Sequence, residues 1–168
     1  LLVEKTGILG GTLVSAAVNA PASFRAYGEP VIAGIGWELC CQTWRDCGEP
    51  IPEPHPHAKQ SGGPEHLHIN PAVFAAVCDE AVAAANVDML FHAMPAGVHR
   101  TDDAWKITLS TKTGLEQVTG KTLIDCTGDA NLAELAGFEV QRSDDLQPAT
   151  LVVRVGGYEA EQLDYDSI

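Results

Sequence analysis

The stretch that decides the fold is Leu123–Ala130, with the sequence LIDCTGDA. Apolar residues typical of a buried strand lead into a Thr-Gly-Asp turn, and a helical pattern follows directly. This layout predicts a strand–turn–helix unit whose bare backbone can approach a phosphate. At the other end of the chain, Leu1–Glu4 (LLVE) predicts a strand that ends in an acid. In dinucleotide-binding folds an acid at that position hydrogen-bonds a ribose hydroxyl.

Composition narrows the class of protein. The 168 residues suffice for one ordinary core, and 45% are hydrophobic, which excludes a mainly disordered chain. A net charge of −13 argues against nucleic acid as a partner. No apolar run approaches the roughly 20 residues that span a bilayer, so we expect no membrane partner. The five cysteines lack the number and spacing of a disulfide framework, which favours a reducing, cytoplasmic location.

The order of predicted elements is strand, helix, strand, meander, strand, helix. One helix start is clear, because Asn70 is an N-cap residue and Pro71 follows at the first helical position. The order is that of an α/β dinucleotide fold from its second strand onward, although the sequence contains no G-x-G-x-x-G turn before Glu4. Strands are predicted over residues 1–4, 87–93, 99–102, 105–111, 115–119, 121–126 and 150–155, and helices over 12–18, 31–46, 71–86 and 130–136.

The segment Gly7–Thr12 (GILGGT) supports a binding role for Glu4. Paired glycines before a helix start allow backbone N–H groups and the Thr12 hydroxyl to face an anion. The alternative is a plain flexible turn, with Glu4 an ordinary solvated acid after a strand.

A second hypothesis comes from the segment 40–68, which is rich in cysteine and histidine. Thiolates and imidazoles can hold zinc, but the spacing here lacks the C-x2-C and H-x3-H pattern of closed structural sites. A non-catalytic α/β module that binds metal or a partner through this segment is therefore the alternative function. Otherwise the cysteines pack as small hydrophobic residues and the histidines lie in a surface loop. Weak candidates for acid–base catalysis are His66 and His68, and His92 is interpreted as structural.

Taken in order, these motifs resemble FAD-dependent oxidoreductases of the group that includes the fumarate reductase flavoproteins. The resemblance covers nearly the whole chain apart from 40–68. It implies an α/β, incomplete Rossmann-like FAD-binding domain over residues 1–147, with an irregular insertion at about 40–69 and the start of a substrate domain over 148–168. The stretches that carry it are 1–5 (LLVEK), 7–11 (GILGG), 70–74 (NPAVF), 87–92 (VDMLFH), 124–130 (IDCTGDA), 147–150 (QPAT) and 153–157 (VRVGG).

The resemblance also implies the cofactor and its site. FAD would mediate hydride transfer between a small organic substrate and N5 of the flavin. Glu4, followed by Lys5, would hold the adenosine ribose, and the backbone contact to adenine falls on Pro95, which offers only its carbonyl. The residues implied along the phosphates and the ribityl chain are Gly10, Gly11, Thr12, Thr127, Gly128 and Asp129.

The missing first strand has a physical consequence. Without it, strand 1–4 exposes an unpaired edge, and the helix N-terminus that neutralises the pyrophosphate is lacking. We therefore expect the chain alone to bind FAD weakly or not at all. The expected partners are a small-molecule substrate and either a missing N-terminal segment or a second copy of the chain.

Overall fold

The computed structural model describes residues 1–21, 24–27, 29–53, 67–146, 148–153 and 156–157. None of the helices in these ranges is long and apolar enough to cross a membrane. In chain order the elements are β1 (Leu2–Glu4), α1 (Thr12–Ser15), β2 (Arg25–Ala26), β3 (Glu29–Pro30), α2 (Ile35–Asp46), α3 (Pro71–Ala84), β4 (Met89–Phe91), β5 (Met94–Arg100), β6 (Trp105–Thr111), β7 (Gly114–Gly120) and α4 (Asn131–Leu135).

The first and fourth strands form a two-stranded parallel sheet. Leu2 lies opposite Met89, and Glu4 lies opposite Phe91. Parallel strands require a long crossover, which here contains the first three helices. The predicted strands at 1–4 and 87–93 are confirmed, although the second is shorter because His92 leaves the sheet with a left-handed φ of 53°.

The crossover helices α2 and α3 build the main core. The side-chain oxygen Oδ1 of Asn70 accepts hydrogen bonds from the backbone N–H groups of Ala72 (3.0 Å) and Val73 (3.4 Å), so the predicted N-cap is confirmed. Between the helices lies a cluster of buried residues, most of them apolar. Its members are Leu9, Cys40, Cys41, Trp44, Leu67, Ile69, Phe74 and Cys78.

Two expectations upstream of this core were wrong. The helix predicted from residue 31 begins only at Ile35, because Gly34 has a φ of 89°, which an α-helix cannot contain. The region before it, where the sequence predicts no helix or strand, contains two short antiparallel strands, in which Arg25 lies opposite Pro30. Sequence periodicity does not reveal strands of only two residues.

The predicted meander is confirmed as the three-stranded antiparallel sheet β5–β6–β7. The middle strand buries Ile107 and Leu109 on one face, as its alternating sequence predicts. The first strand begins earlier than predicted, at Met94, and contains an irregularity between Pro95 and Gly97. Helix α4 packs against this strand, which brings the 125–130 turn to the meander.

The strand predicted over 121–126 was wrong. These residues form no strand and pair with no described strand, and the Ile124 side chain is 76% exposed. A strand requires a neighbour for its backbone hydrogen bonds, and pairing is a non-local property. The strand predicted over 150–155 is likewise not formed at residues 150–153, and 154–155 lie outside the described residues.

Candidate functional site

The acid predicted to bind ribose is held at the carboxyl end of β1. One oxygen of Glu4, Oε1, accepts hydrogen bonds from the Thr6 N–H (2.7 Å) and from the Thr6 hydroxyl (2.8 Å). The other oxygen has no hydrogen-bond partner in the part of the chain that the structure describes. Glu4 is therefore a fixed, half-buried acceptor with a free oxygen, which suits it to receive a ribose hydroxyl.

The end of β4 closes the turn that follows Glu4. The Glu4 carbonyl accepts a hydrogen bond from the Ala93 N–H at 3.1 Å, and the Thr6 carbonyl accepts one from the His92 N–H at 3.0 Å. The two backbone donors that follow β4 are thus used within the protein. Pro95, the predicted adenine contact, lies further on in β5 opposite Leu109, where its role remains a prediction.

The Gly-Gly-Thr turn begins α1. Gly10 has a φ of 103°, and a side chain there would overlap Val14. Gly11 and Thr12 are exposed, and the Gly11 carbonyl accepts hydrogen bonds from the N–H groups of Val14 and Ser15. Because α1 has only four residues, its dipole is small. Any anion at this turn would depend on individual N–H groups and on the Thr12 hydroxyl.

The turn around Thr127 is organised by an acid that sequence reasoning did not single out. Asp125 Oδ1 accepts a hydrogen bond from the Thr127 N–H (2.8 Å), and Oδ2 accepts one from the Ala133 N–H (2.9 Å). The Thr127 N–H bond, followed by the Ala133 N–H bond, holds the pKa of the Asp125 carboxyl below its usual value. The signal was available, because an acid two residues before a backbone donor is the pattern of an Asx-turn.

These bonds limit what the turn can offer a phosphate. The Thr127 hydroxyl accepts a hydrogen bond from the Asn131 N–H at 3.0 Å, so the first turn of α4 is occupied by side chains of the protein itself. In the described residues, the N–H groups of Gly128, Asp129 and Ala130 have no acceptor. These three N–H groups are therefore the backbone donors of this turn that could bind a phosphate as predicted.

A small cleft next to Asp125 is not the nucleotide site. Its volume is about 100 Å³, below the roughly 300–1,000 Å³ of most ligand pockets. Its walls are almost entirely apolar. The lining residues are Trp105, Leu123, Asp125, Leu132, Ala133, Ala136 and Phe138.

The cysteine- and histidine-rich segment shows no metal centre in its described part. No group of three or more His, Cys, Asp or Glu side chains there could hold a metal ion. Burial and the neighbouring thiols of Cys41 and Cys78 raise the pKa of Cys40 to about 11, so this thiol is protonated at neutral pH. His68 is exposed, while His66 lies outside the described residues. The metal-binding alternative stays a prediction, because His55, His57 and His66 lie outside the described residues.

Two parallel strands joined by crossover helices place the chain in the α/β class of proteins. A search of the curated proteins found no match. The family model described as FAD dependent oxidoreductase matches residues 1–167, so the chain belongs to that family. The family implies a Rossmann-like α/β fold and FAD as the cofactor, and its general chemistry is flavin-dependent oxidoreduction.

Proposed function

We propose that this chain forms most of the FAD-binding domain of an enzyme that oxidises or reduces a small organic substrate, as in the fumarate reductase flavoprotein group. The chemistry that FAD supplies when bound is hydride transfer. The observation that carries the proposal is the Glu4 carboxylate, fixed at the end of β1 with one oxygen that has no partner among the described residues.

The residues present fit the cofactor in chemical type. Glu4 would accept from the adenosine ribose, with exposed Lys5 beside it as a cation for phosphate. The Gly10-Gly11-Thr12 turn and the free N–H groups at Gly128 and Asp129 would contact the phosphates and the ribityl chain. Thr127 would act mainly by shaping its own turn, because its hydroxyl already accepts from Asn131.

We further propose that a strand outside these residues completes the domain. The Leu2 N–H and the Glu4 carbonyl both bond toward β4, so the backbone groups of Val3 face the opposite edge. No described strand pairs with that edge, and residues 121–126 likewise have no strand partner among the described residues. In the Rossmann strand order, one strand lies between these two segments and carries the G-x-G-x-x-G turn.

A titration with FAD tests this proposal. We expect the chain alone to bind FAD weakly or not at all, as followed by flavin fluorescence. An extended polypeptide that adds an in-frame strand and G-x-G-x-x-G turn upstream of Leu1 should bind about 100-fold tighter or better, since it regains the phosphate-binding backbone. Sub-micromolar 1:1 binding by the chain alone would contradict the incomplete-site proposal. An extended polypeptide that fails to bind FAD would contradict the proposed function.

A proton-transfer role is proposed for the histidines near the substrate. The His68 carbonyl accepts a hydrogen bond from the Trp44 indole at 2.9 Å, which anchors the backbone while the side chain remains exposed. Replacing His66 and His68 together with Gln should lower turnover in the complete enzyme and leave flavin binding unchanged. Unchanged turnover would remove this role.

The proposal also covers the cellular location and the binding partners of the protein. We propose a cytoplasmic enzyme whose partners are a small-molecule substrate and the missing segment, or a second copy of the chain. Nucleic acid and membranes are not among the proposed partners, in keeping with the charge of −13.

A further inference from the structure

His92 has a backbone conformation that is uncommon for residues other than glycine. Its φ is 53°, in the left-handed region that costs a non-glycine residue about 1–2 kcal/mol. Such strain persists only where the surrounding structure imposes it, and it is concentrated at ligand sites. Here it turns the chain sharply after β4, so that His92 donates to the Thr6 carbonyl and Ala93 to the Glu4 carbonyl.

The imidazole of His92 lies directly on Gly7. A methyl group built on Gly7 would be 2.7 Å from both Cε1 and Nε2 of the ring. Ordinary contacts between such atoms are about 3.5–4.0 Å, so any side chain at Gly7 would displace the ring. The bare backbone at Gly7 and the ring of His92 are therefore complementary surfaces.

These contacts connect His92 to the carboxylate of Glu4. Thr6 is bonded on one side to His92 through its carbonyl, and on the other side to Glu4 Oε1 through its N–H and hydroxyl. The link to Thr6 is the backbone N–H of His92, and Gly7 follows Thr6 directly in the chain. A side chain at Gly7 that presses on the ring would strain the backbone on both sides of this bond and weaken the hold of Thr6 on the carboxylate.

We propose that His92 is a positioning residue of the nucleotide site, which together with Gly7 holds the turn that orients Glu4 toward the ribose. The inference rests on the proposed function of Glu4. It assigns a role to a histidine that the sequence pattern marks only as structural.

Amide hydrogen exchange at Thr6 tests the proposal without a ligand, because the Thr6 N–H is bonded to the Glu4 carboxylate. Gly7→Ala should speed exchange at Thr6 about fivefold to tenfold, the loss of one net hydrogen bond. Exchange at Ile107 in the meander should not change. In the double variant Gly7→Ala/His92→Gly the clash is removed and the new methyl group takes the place that the ring held against the turn. The Thr6 rate should therefore return to within about twofold of the unaltered chain. An unchanged Thr6 rate in Gly7→Ala, or no recovery in the double variant, would overturn the proposal.

Faster exchange at Ile107 would show that Gly7→Ala unfolds the chain. In that case a second variant tests the positioning role of His92. His92→Asn removes the ring while keeping a residue that tolerates the left-handed conformation. Thr6 should then exchange faster in a chain whose Ile107 remains protected. A Thr6 rate equal to that of the unaltered chain would overturn the proposal.

Flavin affinity of the extended polypeptide separates this inference from the proposed function. FAD affinity should fall in Gly7→Ala and recover in the double variant, in step with the Thr6 exchange rate. If FAD affinity does not follow the Thr6 exchange rate, the positioning role of His92 is refuted while the proposed function of Glu4 stands. If Glu4→Gln leaves FAD affinity unchanged, the proposed function of Glu4 fails, whatever the exchange at Thr6.

Discussion

Two turns of this molecule share a local hydrogen-bond pattern but differ in how far their carboxylates are bonded within the protein. In each, a carboxylate accepts a hydrogen bond from the N–H of a threonine two residues later: Thr6 for Glu4, and Thr127 for Asp125. Asp125 also accepts from Ala133 through its second oxygen, whereas the second oxygen of Glu4 has no partner among the described residues. The same local sequence pattern therefore leaves an acceptor oxygen for a ligand in our proposal for Glu4, and uses both oxygens within the protein at Asp125. The occupancy of the second oxygen is the feature by which we distinguish the two acids.

The largest effect is expected from Asp125→Ala. The substitution leaves the Thr127 and Ala133 N–H groups without their acceptor, so the turn and α4 should lose order. Amide exchange at Ala133 should accelerate by about tenfold or more, as for the loss of a helix cap. The matched control is Asp129→Ala, an exposed acid of the same turn, which should leave the Ala133 rate unchanged. Equal effects of the two substitutions would contradict the structural role of Asp125.

The next effect concerns Glu4. In the extended polypeptide, Glu4→Gln should weaken FAD binding about tenfold, because a charged acceptor for the ribose is replaced by a neutral amide. The thermal midpoint should change little, since Gln can still accept from Thr6. Isothermal titration with FAD measures the first quantity and calorimetry the second. A large loss of thermal stability with unchanged FAD affinity would mean that Glu4, like Asp125, has a structural role.

The pH dependence of the Asp125 turn follows from the lowered pKa of its carboxyl. The N–H bonds from Thr127 and Ala133 favour the charged form, so the folded pKa lies below the unfolded value of about 3.9. The resulting stabilisation is fully present above that unfolded value and is lost as the pH falls through the folded pKa. Protection of the Ala133 amide should therefore decline in acid, and Asp125→Asn should flatten that decline. A decline that persists in the Asn variant would assign it to another group.

The smallest effect is expected at Thr6. Its hydroxyl lies 2.8 Å from Glu4 Oε1 and also 2.8 Å from the Ile8 carbonyl, and its single proton serves one acceptor at a time. Thr6→Val removes the hydroxyl but keeps the N–H bond to Glu4. FAD affinity of the extended polypeptide should fall about twofold to threefold, a fraction of one hydrogen bond. A loss as large as that of Glu4→Gln would mean that the hydroxyl, rather than the backbone, holds the acid.

The sequence predicts best what is local. Asn70-Pro71 begins a helix through its own side chain and ring, and the alternation in Trp105–Thr111 defines a half-buried strand. The strand predicted at 121–126 was wrong because its formation depends on a partner far along the chain. The strained backbone of His92 and the use of both Asp125 oxygens arise from packing that periodicity does not contain.

The candidate site shows the same division. The sequence placed Glu4 at the end of a strand, and the structure confirms that position. The bonds that distinguish Glu4 from Asp125 depend on where each chain segment meets its neighbours. Those neighbours are His92 and Ala93 for the first acid and α4 for the second.

The carboxyl carbon resonances of Glu4 and Asp125, followed by NMR as FAD is added to the extended polypeptide, test the central claim most directly. The Glu4 carboxyl signal should shift as its free oxygen engages the ribose, while the Asp125 signal stays in place because both its oxygens are already bonded. A shift of Asp125 with Glu4 unmoved would contradict the account.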